Sequence, residues 1–149
     1  MAADDLYDRD FYLWTKAQAE ALRARGRGGN AIDYDVLAEE VEDLGKRDLR
    51  ECVSRALVII EHLMKLSWST KAEPRGGWRA TIRIQRSDLK RALTPSLRRM
   101  VEADLEAIHQ DAAFVAAESF SSEEPDAPRD QALRWTLPQI LGEENDPLS

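Results

Sequence analysis

The stretch DVLAEEVEDLGKRDLRE, residues 35–51, combines many charged side chains with apolar residues at the spacing of an α-helix. Apolar residues that recur every three or four positions predict an amphipathic helix. The line continues beyond residue 51 and contains Leu37, Val41, Leu44, Leu49, Val53, Ala56, Ile60 and Leu63. Asp33 can cap the start of this helix, and the pattern reaches about Trp68. Gly45 is the one candidate for a break, and we expect one long helix that bends there if it bends at all.

Three further helices are predicted around this one. The first covers residues 10–25 and can be capped by Asp10; its apolar line is Phe11, Trp14, Ala17, Ala21 and Leu22. The next covers residues 78–93, with an inward line of Trp78, Ile82, Gln85, Leu89 and Leu93. The last opens with Thr94 as cap and Pro95 as first helical residue. Its inward positions are Leu97, Val101, Leu105, Ile108, Ala112 and Val115.

The segments between these helices are typical of turns, and no stretch alternates as a β-strand does. Glycine-rich or proline-bearing turns fall at residues 26–30 and 71–77. The sequence therefore predicts an all-α helical bundle of about four main helices with a short C-terminal helix or docked tail. Residues 1–120 are expected to form the bundle core. Residues 121–149 are expected to form a polar linker and a short segment of the same single domain, in which Trp135 either anchors a partner or covers the domain's own core.

Composition narrows the classes of protein to which the chain can belong. At 149 residues it is long enough for one core, and no apolar run approaches the ~18 residues that span a bilayer. The first residues are acidic where a signal peptide is basic. Cys52 is the single cysteine, which excludes an internal disulfide and a multi-cysteine zinc site, and its position predicts a buried small side chain. We expect a cytoplasmic protein without a membrane partner or cofactor.

Charge is segregated along the chain, whose net charge is −7. Residues 33–51 carry eight acids against three bases, whereas residues 75–99 carry eight bases against one acid. We predict that the two segments form an internal ionic lock, in which Glu39 and Glu40 pair with arginines of the basic helix. The full predicted polar cluster is Glu39, Glu40, Asp43, Arg47, Arg79, Arg83, Gln85 and Arg86. Its role is structural.

Gln85 is the one polar residue on the inward line of the basic helix. A buried amide without a partner is costly, so we predict that Gln85 is mostly buried and bonded to a neighbouring helix. Its candidate partners are Glu40, Asp43, Arg47 and a backbone carbonyl freed near Gly45. The alternative is a rotated helix, in which Gln85 faces water and Arg86 points inward.

A nucleic-acid-binding function is an alternative to the structural role. Arg79, Arg83, Arg86 and Lys90 share one predicted helix face, which could grip phosphates. The acidic net charge and the lack of a recognisable nucleic-acid-binding motif argue against it.

Metal binding is the second alternative. Glu106 and His109 have the i, i+3 spacing that di-iron bundles use, but those bundles need a second Glu-x-x-His, which this chain lacks. The weak candidates for ligands are Glu39, Glu40, His62, Glu106 and His109. No serine or cysteine lies in a glycine-rich elbow with a suitable histidine and acid, so no catalytic residue is predicted.

Several blocks occur in an order that resembles one bacterial family. They are DLYDRDFYLWT at 5–15, LAEEVEDLGKRD at 37–48, EHLMKLSW at 61–68, WRATIRIQRSDL at 78–89, TPSL at 94–97 and DAAFVAAESF at 111–120. The chain is similar in these blocks to the family of domain of unknown function 29. The resemblance implies an all-helical bundle and no established activity. The function we expect is a small protein–protein interaction or accessory module, acting on an unknown protein partner or by self-association.

Overall fold

The computed structural model describes residues 3–25, 32–122 and 124–149. Within these ranges the regular elements are all helices: α1 (Ala3–Arg9), α2 (Phe11–Arg25), α3 (Tyr34–Trp68), α4 (Arg75–Ala92), α5 (Pro95–Ala103), α6 (Leu105–Ser121) and α7 (Leu137–Ile140). The all-α fold class predicted from the sequence is confirmed. In the part of the chain so described, none of these helices has the length and apolar character needed to cross a membrane.

The helix starts lie where the capping residues predict them. Asp10, Asp33 and Thr94 each accept the backbone amide three residues later through a side-chain oxygen, at 3.1–3.2 Å. These bonds satisfy amides that have no partner inside the helix. The predicted starts of α2, α3 and α5 are therefore confirmed.

Helix α3 runs for 35 residues and passes through Gly45 without a break. The glycine has a packing role, because α2 approaches the α3 backbone there. A Cβ atom at Gly45 would overlap Thr15 Oγ1 and would lie 3.2 Å from Tyr12 Cδ2. Gly45, the candidate for a break, is therefore a residue at which α2 packs closely against α3.

The second half of the chain shows one difference from the sequence prediction and one agreement. The predicted fourth helix is divided at Asp104 into α5 and α6. The short C-terminal helix predicted from the sequence is α7, and Pro138 lies in its first turn, where its missing amide costs nothing. Thr136 and Gln139 form a reciprocal capping box at this start.

The described residues group into two compact units. Unit 1 comprises residues 1–51 with 93–100, and unit 2 comprises residues 52–92 with 101–149. The division of the chain into one domain with a core at 1–120 stays a prediction.

Unit 1 is built on small and hydroxyl-bearing side chains. Its buried residues include Tyr12, Thr15 and Ala19 from α2, and Ala38 and Gly45 from α3. Small residues let two helix backbones approach each other closely.

The predicted apolar lines of unit 1 are rotated relative to this buried face. Ala17 and Ala21 of α2 are exposed, as are Leu37 and Leu44 of α3, although all four were predicted to point inward. On α3 the apolar pattern placed the large Leu37 and Leu44 inward, whereas the small Ala38 and Gly45 are the buried residues there.

Unit 2 has a conventional core of large apolar side chains. Phe120 lies at its centre, with Trp68 and Trp78 each 5.9 Å from its ring. Cys52 is fully buried, as predicted, whereas Val115, predicted to be inward, is exposed. The other buried apolar residues of unit 2 are Ala56, Ile59, Ile60, Leu63, Met64, Leu66, Ile82, Leu89, Val101, Ile108, Ala112, Ala113, Ala116, Leu137, Ile140 and Leu141.

Candidate functional site

The predicted polar cluster is divided between the two units. Its members on α3 are all exposed and belong to unit 1: Glu39, Glu40, Asp43 and Arg47. Its members on α4 belong to unit 2: Arg79, Arg83, Gln85 and Arg86. The ionic lock between Glu39 or Glu40 and the α4 arginines stays a prediction.

Arg86 is buried, with 7% of its surface exposed, and its guanidinium is engaged inside unit 2. It forms a two-pronged contact with the Asp146 carboxylate, at 2.8 and 3.1 Å. It also donates to the carbonyl oxygens of Ile140 at 2.7 Å and Gln139 at 3.2 Å. The acid that pairs with Arg86 is therefore Asp146, from the tail, instead of an acid of α3. The planar guanidinium suits this set of acceptors, because its donors form a fixed fork.

The other two arginines of the predicted basic face of α4, Arg79 and Arg83, have different surroundings. Arg79 is half-buried and donates to the carbonyl oxygen of Leu148 at 3.0 Å, whereas Arg83 is exposed. Three of the four residues predicted to share one basic face, namely Arg79, Arg83 and Arg86, thus range from exposed to buried. This face offers phosphates fewer free donors than the sequence predicts.

Gln85 is half-buried and accepts a hydrogen bond from Arg55 Nη1 of α3 at 3.1 Å. The same nitrogen lies 3.2 Å from an oxygen of Asp88. The predicted bond to a neighbouring helix is present, but the partner is Arg55 instead of Glu40, Asp43 or Arg47. Trp78, Ile82 and Leu89 of the predicted inward line are buried, so the predicted phase of α4 holds at those positions. The buried polar residue of α4 is Arg86, whereas Gln85 is half-buried.

Both histidines form a backbone hydrogen bond through Nδ1. His62 Nδ1 lies 2.8 Å from the carbonyl oxygen of Val58, and His109 Nδ1 lies 2.8 Å from that of Leu105. His109 Nε2 accepts the backbone amide of Trp135 at 3.0 Å, so both of its ring nitrogens are occupied.

Glu106, the other half of the suspected metal motif, accepts two hydrogen bonds from Arg134, each 3.0 Å long. Over residues 3–25, 32–122 and 124–149, no group of three or more histidine, cysteine or acidic residues could hold a metal ion. Glu39 and Glu40, the acidic candidates on α3, are exposed. Where metal ligands were suspected around His109, the structure has a polar contact between α6 and the tail.

Trp135 covers the core of its own unit. Its ring stacks on that of His109, with centroids 6.2 Å apart and an interplanar angle of 24°. The two rings border a cleft of about 320 Å³ that Leu105 and Gln139 also line. His109 is 1% exposed, and this burial is the main cause that lowers its pKa. Of the two hypotheses for Trp135, the tucked tail is the one found here.

One face of α3 in unit 1 leaves large apolar side chains exposed. Val36, Leu37 and Leu44 are 51%, 44% and 37% exposed. Glu40 lies one turn from both Leu37 and Leu44, and Asp43 is seven residues after Val36, so acidic and apolar side chains share this surface. We call these five residues the α3 face.

A family model described as "Domain of unknown function DUF29" matches residues 6–145 of the chain. The chain belongs to the DUF29 family. The resemblance inferred from its sequence blocks is confirmed, and the biochemical activity of this family is unknown by its own description. No curated protein matches the chain.

This DUF29 chain also resembles a solved structure, an α-helical protein of unknown function from Rhodospirillum rubrum. The TM-score is 0.80 at 24% sequence identity, over 95% of this chain and 92% of the other. A likeness at that identity establishes the fold.

Glu124 is a buried acid of this DUF29 protein that the sequence did not single out. Its carboxylate accepts the hydroxyls of Ser69 at 2.6 Å and Thr70 at 3.2 Å, and the Thr70 amide at 3.3 Å. The bond from Ser69 is the main cause that lowers the Glu124 pKa. The partners lie more than 50 positions away in sequence, and no local pattern marks such a contact.

Proposed function

We propose that this DUF29 protein is a protein-binding module whose contact surface is the α3 face. The observation that carries this proposal is the exposure of Val36, Leu37 and Leu44 at helical spacing on one half of one helix. Single exposed apolar residues are ordinary on protein surfaces, whereas apolar residues that adjoin one another mark contact sites. Fully burying a side chain of this size contributes about 1.5–3 kcal/mol, so a partner that covers all three can form a specific complex.

The charges on the α3 face define the chemistry of its partner. Glu40 and Asp43 are exposed among the apolar side chains, and Glu39 is exposed beside them. A partner that buries this surface must supply lysine or arginine around an apolar patch, because acids left without counter-charges oppose binding. An amphipathic helix with basic edges fits this description.

Contacts elsewhere in the chain favour this proposal over an enzymatic one. The buried polar groups that could suggest chemistry are Arg86, His109 and Glu124, and each is bonded to another part of unit 2. Groups committed to such bonds hold the fold together. The side chains of the α3 face, by contrast, are exposed.

The test is purification of the tagged protein from its native host, with quantitative mass spectrometry of the proteins that accompany it. The double variant Leu37→Glu/Leu44→Glu places charge on the α3 face. Phe114→Glu is the matched control, because Phe114 is 67% exposed and lies on α6 of unit 2. Sedimentation of the purified protein examines self-association through the same surface.

We expect the double variant to lose a partner, or a self-associated species, by at least about tenfold, which corresponds to about 1.4 kcal/mol. Phe114→Glu should retain it. The proposal fails if the folded double variant keeps every partner of the wild type, or if both variants lose them equally.

A further inference from the structure

The tail, residues 131–149, is held to the rest of unit 2 by Arg134 with Glu106, by Arg79 with the Leu148 carbonyl, and at two further places. At the first, His109 of α6 accepts the amide of Trp135 and stacks on its ring. At the second, Arg86 of α4 binds Asp146 and two tail carbonyls. Between them, Leu137, Ile140 and Leu141 are at most 1% exposed. The two attachments differ in how they respond to protons.

We propose that His109 is a pH-operated latch, in which protonation of its ring releases the backbone of Trp135 from α6 while the Arg86 attachment keeps residues 137–149 bound. The proposal does not depend on the protein-binding function of the α3 face, since none of its residues belongs to that face. It assigns a conformational role to a histidine that the protein-binding proposal does not use.

The hydrogen bonds fix the protonation state of the closed latch. A backbone amide can only donate, so His109 Nε2 must accept from Trp135 through its lone pair. Nδ1 then carries the single ring proton and donates it to the carbonyl oxygen of Leu105. When Nε2 takes a proton from solvent, two N–H groups face each other. The bond to Trp135 is lost, and the amide must find water.

Two charged groups act on His109, one acidic and one basic. Glu106 is on its own helix and Arg134 is on the tail, and the two pair with each other. The other polar residues that line the cleft, Thr136 and Gln139, are neutral. Burial is the main cause of the lowered pKa of His109 and Arg134 adds to it, while the Leu105 bond and Glu106 oppose it.

The second attachment keeps its charge over the range in which histidine titrates. An arginine guanidinium keeps its charge throughout this range. Burial alone would raise the pKa of Asp146, but the hydrogen bonds from Arg86 and the Leu148 amide lower it below its ordinary value of 3.8. Asp146 is therefore ionised wherever His109 titrates, and the Arg86 end acts as the fixed side of a hinge.

The sign of the pH effect follows from the lowered pKa of His109. Its ordinary pKa is 6.5, and the folded value lies below it. The ring is neutral and the latch is closed above pH 6.5. As the pH falls below 6.5 towards the folded pKa, the closed form progressively loses stability, because it binds fewer protons than the open form.

The test uses NMR of the full chain between about pH 7.5 and about pH 5, a range that brackets histidine titration. The chain has two histidines, so the ring signals can be assigned with one variant. We expect the Trp135 amide to shift with the same midpoint as the His109 ring. Its hydrogen exchange, corrected for intrinsic rate, should rise at least about tenfold. The Leu141 and Gly142 amides, whose acceptors are the carbonyls of Leu137 and Gln139, should stay protected.

Two variants separate a latch from a general effect of acid. In His109→Gln, the amide oxygen can accept the Trp135 N–H without titrating, so the pH response of Trp135 should disappear. His62→Gln is the matched control, because His62 has the same backbone bond four residues back and lies outside the tail contact. It should leave the response of Trp135 unchanged.

The latch is refuted if the Trp135 amide does not respond while the His109 ring titrates, or if His109→Gln responds as the wild type does. It is also refuted if the Leu141 and Gly142 amides lose protection together with Trp135, because the whole tail or unit 2 then opens at once. If His109→Gln does not fold, the comparison of the two wild-type midpoints decides.

Discussion

The carboxylate of Asp10 accepts both the backbone amide and the hydroxyl of Ser96, at 2.8 and 2.6 Å, from 86 positions later in the chain. It also accepts the Leu13 amide at 3.1 Å. One buried side chain thus supplies acceptors to the first turns of α2 and α5, within unit 1. Three hydrogen bonds to an ionised acceptor make this contact strong.

The first prediction concerns Asp10 and acid. Burial alone would raise its pKa, but the bonds from Ser96 and Leu13 lower it below the ordinary value of 3.8. The stability that the carboxylate contributes is therefore complete above pH 3.8 and is lost as the pH falls through the lower folded pKa. Asp10→Asn should lower the free energy of unfolding at neutral pH by about 1–3 kcal/mol and flatten the acid limb. Urea denaturation over a pH series measures both, with exposed Asp8→Asn as control. Equal curves for the two variants would contradict the role of Asp10.

The second prediction compares two helical glycines. Alanine in place of glycine inside a helix ordinarily gains up to about 1 kcal/mol. Gly77→Ala in α4 should follow this rule, because a Cβ there meets no atom within 4 Å. Gly45→Ala should reverse it, since the added Cβ overlaps Thr15 Oγ1, which is held by its bond to the Tyr12 carbonyl. Thermal denaturation of both variants checks the opposite signs. A gain at Gly45 would show that α2 can move away without cost.

The third prediction concerns the fork of donors at Arg86. Arg86→Lys keeps the charge but cannot serve the Asp146 carboxylate and the tail carbonyls together. We expect a loss of about 1–3 kcal/mol in the free energy of unfolding, because buried acceptors are left without partners. Arg83→Lys, on the same helix but exposed, should change it little. Denaturant titration of both variants decides, and equal midpoints would mean that charge alone holds the tail.

The fourth prediction concerns Gln85. Arg55 contacts both Gln85 and Asp88, so removal of the amide leaves the contact with Asp88 in place. Gln85→Leu should keep the fold and cost less than about 1 kcal/mol. Amide NMR spectra check whether α4 keeps one register. Broadened signals from α4 would show that it does not. A cost above that of Arg86→Lys would contradict the smaller contribution to stability that we expect from Gln85.

The features that the sequence predicted well are local ones. A capping side chain reaches only three residues ahead, so Asp10 and Thr94 could be assigned from their neighbours alone. The choice between Gln85 and Arg86 could not be made in this way, because both are polar, are consecutive in the sequence and border the apolar line of α4. What decides it is Asp146, 60 positions away, which no nearby pattern connects to α4.

The candidate site was harder to predict for the same physical reason. Glu106 and His109 have metal-like spacing, but the groups that occupy them are Arg134 and a backbone amide of the tail. Every residue except proline has such an amide, so it leaves no trace in a sequence. The exposed Leu37 and Leu44 were assigned to the core because a pattern of apolar spacing cannot distinguish an interior face from a contact face.

The late position of Leu137, Ile140 and Leu141 in the chain has a consequence for synthesis on the ribosome. All three are buried in unit 2, yet they are translated after every other helix of that unit. Unit 1 has its last segment once residue 100 has left the ribosome, so it can close first. Until residue 141 emerges, the nascent unit 2 displays the apolar surface that these side chains later cover, and this interval is when chaperones have most to bind.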